Sequence, residues 1–425
     1  MDNDSIRRPA PPRPPEPSLF AKRGRLPSWA LGGILSLIVL LAWAIFLQFA
    51  PAPEALAPVQ EAAAPSTPAP AVAAGTPGQD LRLLSWRGVV PPEIIAGFEA
   101  ESGLKVAVQS IDSIEQLDAM ADSGAMAADV VVVSGAGVKR LVAADLLAPL
   151  PPLAGAPSLD PAIIARTGVY DPGNSHAAVV QWGTMGLAFD AAKVGETLGS
   201  VEIDSWRTLF DPEAMAKLAA CGVQVVDSPA GAFPIALMAL GRPADSASAE
   251  DTEAASRAWE GVRAAIGKFS TAGVVDGLAD GKVCFALATS GDAYQARRKV
   301  QAAGAGPDIR YVVPKEGTIV WYALVAVPKA SANAAGAAKF ADYLLRADVA
   351  ARLSNAQGLA NAVPSSASAL RPDLKTDAAL MPPAAAFAAF TAEMEPPAAA
   401  AALRKQFWQL INTPPAPAAT PSGAP

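Results

Sequence analysis

Leu81-Arg82-Leu83-Leu84-Ser85-Trp86 and, further on, Asp129-Val130-Val131-Val132-Val133 are the runs whose reading decides the fold. Both are short and apolar, as strands covered on two faces are. Between them, residues 91–102 set Ile94, Ile95 and Phe98 at helical spacing and stop at Gly103, residues 104–108 form a second strand, and residues 112–123 a second helix. Strand, helix, strand, helix, strand within residues 81–133 is half of an open, mostly parallel α/β sheet. Residues 222–227, 283–289 and 311–314 read as strands of a second sheet. Residues 321–327 and the helix 334–346 return to the first.

The composition agrees. Of 425 residues 52% are hydrophobic and 17% charged, enough for large cores built mostly of Ala, Val and Leu. The 33 basic and 40 acidic residues leave a net charge of −7, the wrong sign for a general nucleic-acid binder. Two Cys and one His cannot fill a four-ligand zinc site. No metal and no other cofactor is expected.

The 40 prolines are unevenly spread. Residues 1–28 are rich in Pro and Arg and read as a disordered cytoplasmic segment. Residues 29–50 carry no charge, with Ser36 and Gln48 as their polar side chains. As a transmembrane helix that run is about 33 Å long, enough for a hydrocarbon core of about 30 Å. Basic residues crowd its N-terminal side, whereas residues 51–80 hold Glu54, Glu61 and Asp80 and no Lys or Arg. That asymmetry puts everything after residue 50 in the periplasm, anchored to the inner membrane. The alternative is a cleaved signal and a soluble periplasmic protein. Against it, Ala50-Pro51-Ala52 and Ala55-Leu56-Ala57 are each followed by Pro, a poor context for cleavage. Residues 51–80 are an Ala/Pro linker, and residues 413–425 a disordered tail.

Several motifs fail on inspection. Gly135-Ala136-Gly137 lacks the third glycine of a dinucleotide loop, and Gly277-Leu278-Ala279-Asp280-Gly281-Lys282 is one residue short of a P-loop. His176 falls in a turn-rich stretch and reads as a solvated loop histidine. With no visible nucleophile–base pair, binding is expected and catalysis is not.

Taken in order, the ordered residues resemble a known family. The string starts with Trp86, Phe98-Glu99-Ala100-Glu101-Ser102-Gly103-Leu104-Lys105-Val106, and Asp129-Val130-Val131-Val132 before Ser134. It continues through Asp204-Ser205-Trp206, Cys221-Gly222-Val223, Asp227-Ser228-Pro229 and Leu278-Ala279-Asp280-Gly281. It closes with Ser290-Gly291-Asp292-Ala293-Tyr294-Gln295-Ala296, Pro314-Lys315-Glu316-Gly317 and Tyr343-Leu344-Leu345-Arg346-Ala347-Asp348-Val349. This resembles the periplasmic polyamine-binding proteins of ABC importers, the putrescine binders in particular, within the extracellular solute-binding superfamily. The likeness runs from about Leu81 to Ile411.

The resemblance implies a two-lobed α/β fold of the periplasmic-binding-protein kind (type II) with a hinge. Residues 81–183 and 322–362 would make lobe 1, and residues 184–321 and 363–412 lobe 2, with a small-molecule ligand between them. It also implies an ABC permease in the inner membrane as partner. Each ammonium of a diamine loses water when the lobes close, which costs several kcal/mol unless carboxylates replace that water. Aromatic walls add cation–π attraction of roughly 0.5–2 kcal/mol. Carried over residue by residue, Trp86 and Trp321 match aromatic walls, with Tyr322 beside the second. Ser134 matches a cleft serine, Trp182 falls in a strand-end aromatic segment, and Asp292 matches an ammonium-binding acid. The other acids are gone: their positions hold Gly88, Ala230 or Gly231, and Ala323, and a cleft Trp is replaced by Thr289.

Arg87 takes the place of a small polar residue. Pointing inward, it would fork a carboxylate while Asp292 held an ammonium, and the ligand would be an amine-acid in place of a diamine. Pointing outward, or paired with Asp292, it would leave no such site. Cys221 and Cys284, the two cysteines of an extracytoplasmic chain, are expected to form a disulfide; two separate buried thiols are the alternative. The function expected is membrane-tethered solute binding for polyamine-like ABC import with a partly degenerate site. The alternative is a non-transport sensor or scaffold that keeps the fold.

Overall fold

The computed structural model describes residues 80–413. The anchor expected over residues 29–50, the segments on either side of it and the tail beyond Thr413 lie outside the described residues. Among the described residues no helix is long and apolar enough to cross a membrane.

β1 (Asp80–Trp86) pairs in parallel with β2 (Lys105–Ile111) on one side and with β3 (Val130–Ser134) on the other. The helix Pro92–Ser102 starts on a proline, buries Ile94 and Phe98 one turn apart, and ends where Gly103 takes a left-handed φ of 73°. β3 is a run of four buried valines, as a strand covered on both faces should be.

β4 (Ala177–Asp190) is 14 residues long and buried throughout. At about 3.3 Å per residue it reaches roughly 45 Å, long enough to serve both lobes. Over Ala177–Thr184 it pairs antiparallel with β9 (Thr318–Ala326), which in turn pairs with β3. Over Met185–Asp190 it pairs with β7 (Phe285–Thr289) and β8 (Ile309–Val312). β5 (Val223–Val225) and β6 (Lys268–Phe269) extend the sheet beyond β7. The separate second sheet read from the sequence is therefore continuous with the first, because one strand is shared.

The cores remain distinct. One gathers Leu83, Phe98, Val131, Trp182, Tyr322 and Phe340, another Phe189, Trp206, Phe233, Trp259 and Trp408. β10 (Ala360–Asn361) joins β4, and β11 (Phe390–Ala392) lies parallel to the start of β9. In the stretch expected to belong wholly to lobe 2, Phe387 and Phe390 pack into the first core. This departs from the sequence reading, and the cause is pairing between β11 and β9.

Cys221 and Cys284 are joined by a disulfide, their Cα atoms 5.5 Å apart. It staples the turn before β5 to the start of β7.

Candidate functional site

Residues opposite one another on adjacent strands share a face of the sheet. Ser134 stands opposite Ala323, Ala323 opposite Gln181, and Trp321 opposite Gly183. These five residues mark one face at the level where β4 changes partners. Trp182 and Tyr322, opposite each other one step along, face the other way.

The helix Ser290–Ala303 begins over the first of these faces. A Cβ at Gly183 would lie 2.8 Å from Trp321 Cζ2 and 3.0 Å from Ser290 Oγ, so a larger residue would push the indole and the helix start apart. Ser290 Oγ also accepts from the Thr184 N–H at 3.3 Å. Two residues further on, Asp292 Oδ2 accepts from the Thr289 N–H at 3.0 Å and the Thr289 hydroxyl at 2.7 Å, which closes a capping box. Burial pushes the Asp292 carboxyl up despite those two bonds. The side chain nevertheless keeps accessible surface. A carboxylate hemmed in by protein and still reachable is what the base of a cleft presents.

Ser134 is half-buried and caps the helix Gly135–Ala143, its Oγ accepting from the Gly137 N–H at 3.2 Å. Trp321 is half-buried, and its Nε1–H has no acceptor among the described residues. Gln181 is fully buried with neither amide atom partnered among them. The face thus offers an indole, an amide, a hydroxyl and one carboxylate.

Four expected site residues lie elsewhere. Trp182 and Tyr322 are core residues: Trp182 stacks edge-on against Phe387, and Tyr322 takes a hydrogen bond from Arg166 Nε at 3.1 Å. Strand alternation turns them away from Trp321, so they cannot form walls beside it. Arg87 is turned to Asp112, its Nε and Nη2 bonding the two carboxylate oxygens at 2.6 and 2.7 Å on the exposed surface. It therefore neither forks a ligand carboxylate nor pairs with Asp292. Trp86, half-buried, lines a groove of about 390 Å³ with Ile95, Val108 and Ser110, all of the first lobe. His176 is likewise tied down: its Nδ1 lies 2.9 Å from Oδ1 of the fully buried Asp171.

The positions that lost their acids have different surroundings, and Ala230, the alternative to Gly231, is half-buried in the first turn of the helix Pro229–Ala239. Gly88 sits in a turn at φ 78°, Ala323 is buried, and a Cβ at Gly231 would meet Met185 Sδ at 2.3 Å. One acid that the sequence reading missed does reach this region. Glu393 follows β11, and its N–H donates to Val320 O at 2.8 Å, which carries the pairing with β9 on to the position beside Trp321. The alternation of Phe390, Thr391, Ala392 and Glu393 was the available signal, but nothing local said which strand it would join.

A family model described as bacterial extracellular solute-binding protein matches residues 93–383. The chain is 31% identical over 308 residues to the putrescine-binding periplasmic protein PotF of Escherichia coli, covering 72% of this chain and 83% of that one. It is 34% identical over 284 residues to a putrescine/agmatine-binding protein of Pseudomonas aeruginosa, covering 66% and 77% of the two chains. In fold it is similar to the spermidine/putrescine ABC transporter substrate-binding protein PotD of Streptococcus pneumoniae, with a TM-score of 0.66 at 20% identity over 79% of this chain and all of that one. Two lobes sharing their long strands, and a family match that extends from the first lobe into the second and back, lead to one conclusion: this chain belongs to the bacterial extracellular solute-binding proteins.

Proposed function

We propose that the protein is a tethered periplasmic receptor of an ABC importer, which closes its two lobes on a small amine-bearing solute of the polyamine class and presents it to a permease. The observation that carries this reading is that the helix bearing the accessible, closely surrounded carboxylate of Asp292 starts at Ser290, which together with the half-buried Trp321 closes on Gly183. An ammonium needs just such a pair, an anion to replace its water and a π face to line its methylenes. The polyamine-binding relatives support the ligand class, and the acids missing at Gly88, at Ala230 or Gly231, and at Ala323 support a partly degenerate site. Lobe 1 is taken as residues 81–183 with 322–362, and lobe 2 as residues 184–321 with most of 363–412.

Calorimetry of the full chain in detergent with putrescine, spermidine and 4-aminobutyrate tests the reading. Binding of at least one amine is expected, and at 100 times its Kd it should stabilise the fold by about 2.7 kcal/mol. Silence from all three would turn the argument toward a sensor or scaffold that keeps the fold without a solute.

The uncharged run 29–50 and its flanking charges support a permanent anchor. The protein should fractionate with the inner membrane of its host and be released by detergent, not by salt. A soluble product lacking residues 1–50 would refute the tether and leave the binding reading intact.

A further inference from the structure

Three positions where the sequence pattern has acids carry none, yet a C-terminal strand runs up to the face that bears Trp321. β3 and β11 pair in succession with the same edge of β9: Ser134 is level with Ala323, and Ala392 with Val320. The two strands approach each other end to end across the level of Trp321. Glu393, one residue past β11, continues the register through its N–H to Val320 O, so by strand alternation it shares a face with Trp321. Phe390 and Ala392, on the other face, point where Trp182 and Phe387 pack, which is consistent with that alternation. Tyr170 holds the turn in place by donating its hydroxyl to Glu393 O at 2.8 Å.

The Glu393 carboxylate has no hydrogen-bond or ion-pair partner among the described residues, whereas Glu395 two positions on is engaged by Arg140, which also bonds Asp118. Other charged or titratable groups nearby are Tyr170 itself and, behind β9, Tyr322 and Arg166. Burial, with Glu395 close by, pushes the Glu393 carboxyl up to about 7. Like Asp292, it keeps accessible surface while protein surrounds it. In the fold, Glu393 lies on one side of Trp321 and the helix bearing Asp292 stands on the other, over β4. Two strand spacings, about 10 Å, separate the outer strands of β11–β9–β4.

We propose that Glu393 is the second anionic anchor of the cleft, replacing the acid lost at Ala323, so that a short α,ω-diamine lies across Trp321 with one ammonium at Asp292 and the other at Glu393. This rests on the reading of the protein as an amine receptor and narrows it to a ligand with two cationic ends. The acid comes from the end of the adjacent strand β11, not from β9, where Ala323 stands in its place.

Calorimetry on the full chain and on Glu393→Gln, each with putrescine and with n-butylamine, tests the proposal. The wild type should prefer the diamine, and Glu393→Gln should lose about tenfold or more of its putrescine affinity while binding butylamine as before. Thermal melts at pH 8 show that the variant folds, and they should show it to be more stable, because a buried charge is gone. Equal putrescine affinity in both proteins overturns the role of Glu393. Loss of putrescine and butylamine alike assigns Glu393 a structural role and also overturns it. If the wild type binds neither amine, the receptor reading falls first and the anchor falls with it.

Discussion

Asp129→Ala is expected to destabilise the protein by about 3–5 kcal/mol, because it strips the partner from a buried charge network. Asp129 is 1% exposed. Its carboxylate accepts from the Arg82 backbone N–H at 2.9 Å, Arg82 Nε at 2.9 Å and Arg82 Nη2 at 2.8 Å. The N–H groups of Ala332 and Asn333 add bonds at 2.9 and 3.1 Å. One side chain thereby ties β1 to the loop that leads into the helix Ala334–Leu344. Removing it leaves N–H donors around a buried position unanswered and frees the Arg82 guanidinium, whose side chain is 31% exposed, to turn to water. The pH dependence has a definite sign. Burial pushes the Asp129 carboxyl up, but the Arg82 and backbone bonds outweigh it and hold it at about 2, against an ordinary 3.8. Its stabilising effect is therefore complete above about pH 5 and is lost as the pH falls toward 2. Urea unfolding midpoints at pH 7 and pH 3 check both points: the gap between wild type and variant should narrow at the lower pH. A variant that unfolds with the wild type at pH 7 would refute the account.

Reducing the Cys221–Cys284 bond is expected to have a comparable effect. The cysteines are 63 positions apart. Opening a loop of that length returns about 4 kcal/mol of chain entropy to the unfolded state. Yet the native neighbours need not move, since the Cys284 N–H still donates to Gly222 O at 2.9 Å and β5 still pairs with β7. Cys221→Ser with Cys284→Ser should therefore keep the fold and its ligand affinity while melting several degrees lower. Adding reductant should bring the wild type to the same melting point. Coincident melts with and without reductant would mean that the bond contributes nothing.

Much of this architecture could be read in the sequence because its signals are local. Gly103 stops a helix whose Ile94 and Phe98 face inward, and four successive valines announce a strand covered on both sides. What could not be read is which strands meet. Trp321 and Tyr322 are neighbours in the chain, and alternation within a strand sends one to the cleft face and the other into the core. Likeness to a family carries both over as a pair and cannot separate them without the register. Arg87 was placed by its neighbour Trp86, but its side chain answers to Asp112, 25 positions away. The pairing of β11 with β9 brings together residues about seventy positions apart, and an Ala/Pro-rich stretch gives no hint of it.

β4 and β9 belong to both lobes, and this bears on how the protein meets proteases in the periplasm. A molecule whose halves were joined by loose connectors could shed one half and keep the other, offering cleavable chain while still partly folded. Here β4 runs unbroken and buried from the residues that pair with β9 into those that pair with β7 and β8, so no loose connector separates the halves along it. The two halves therefore lose structure together, as one cooperative unit. The cell then deals with intact receptor or with fully open chain, and partial degradation products should be scarce.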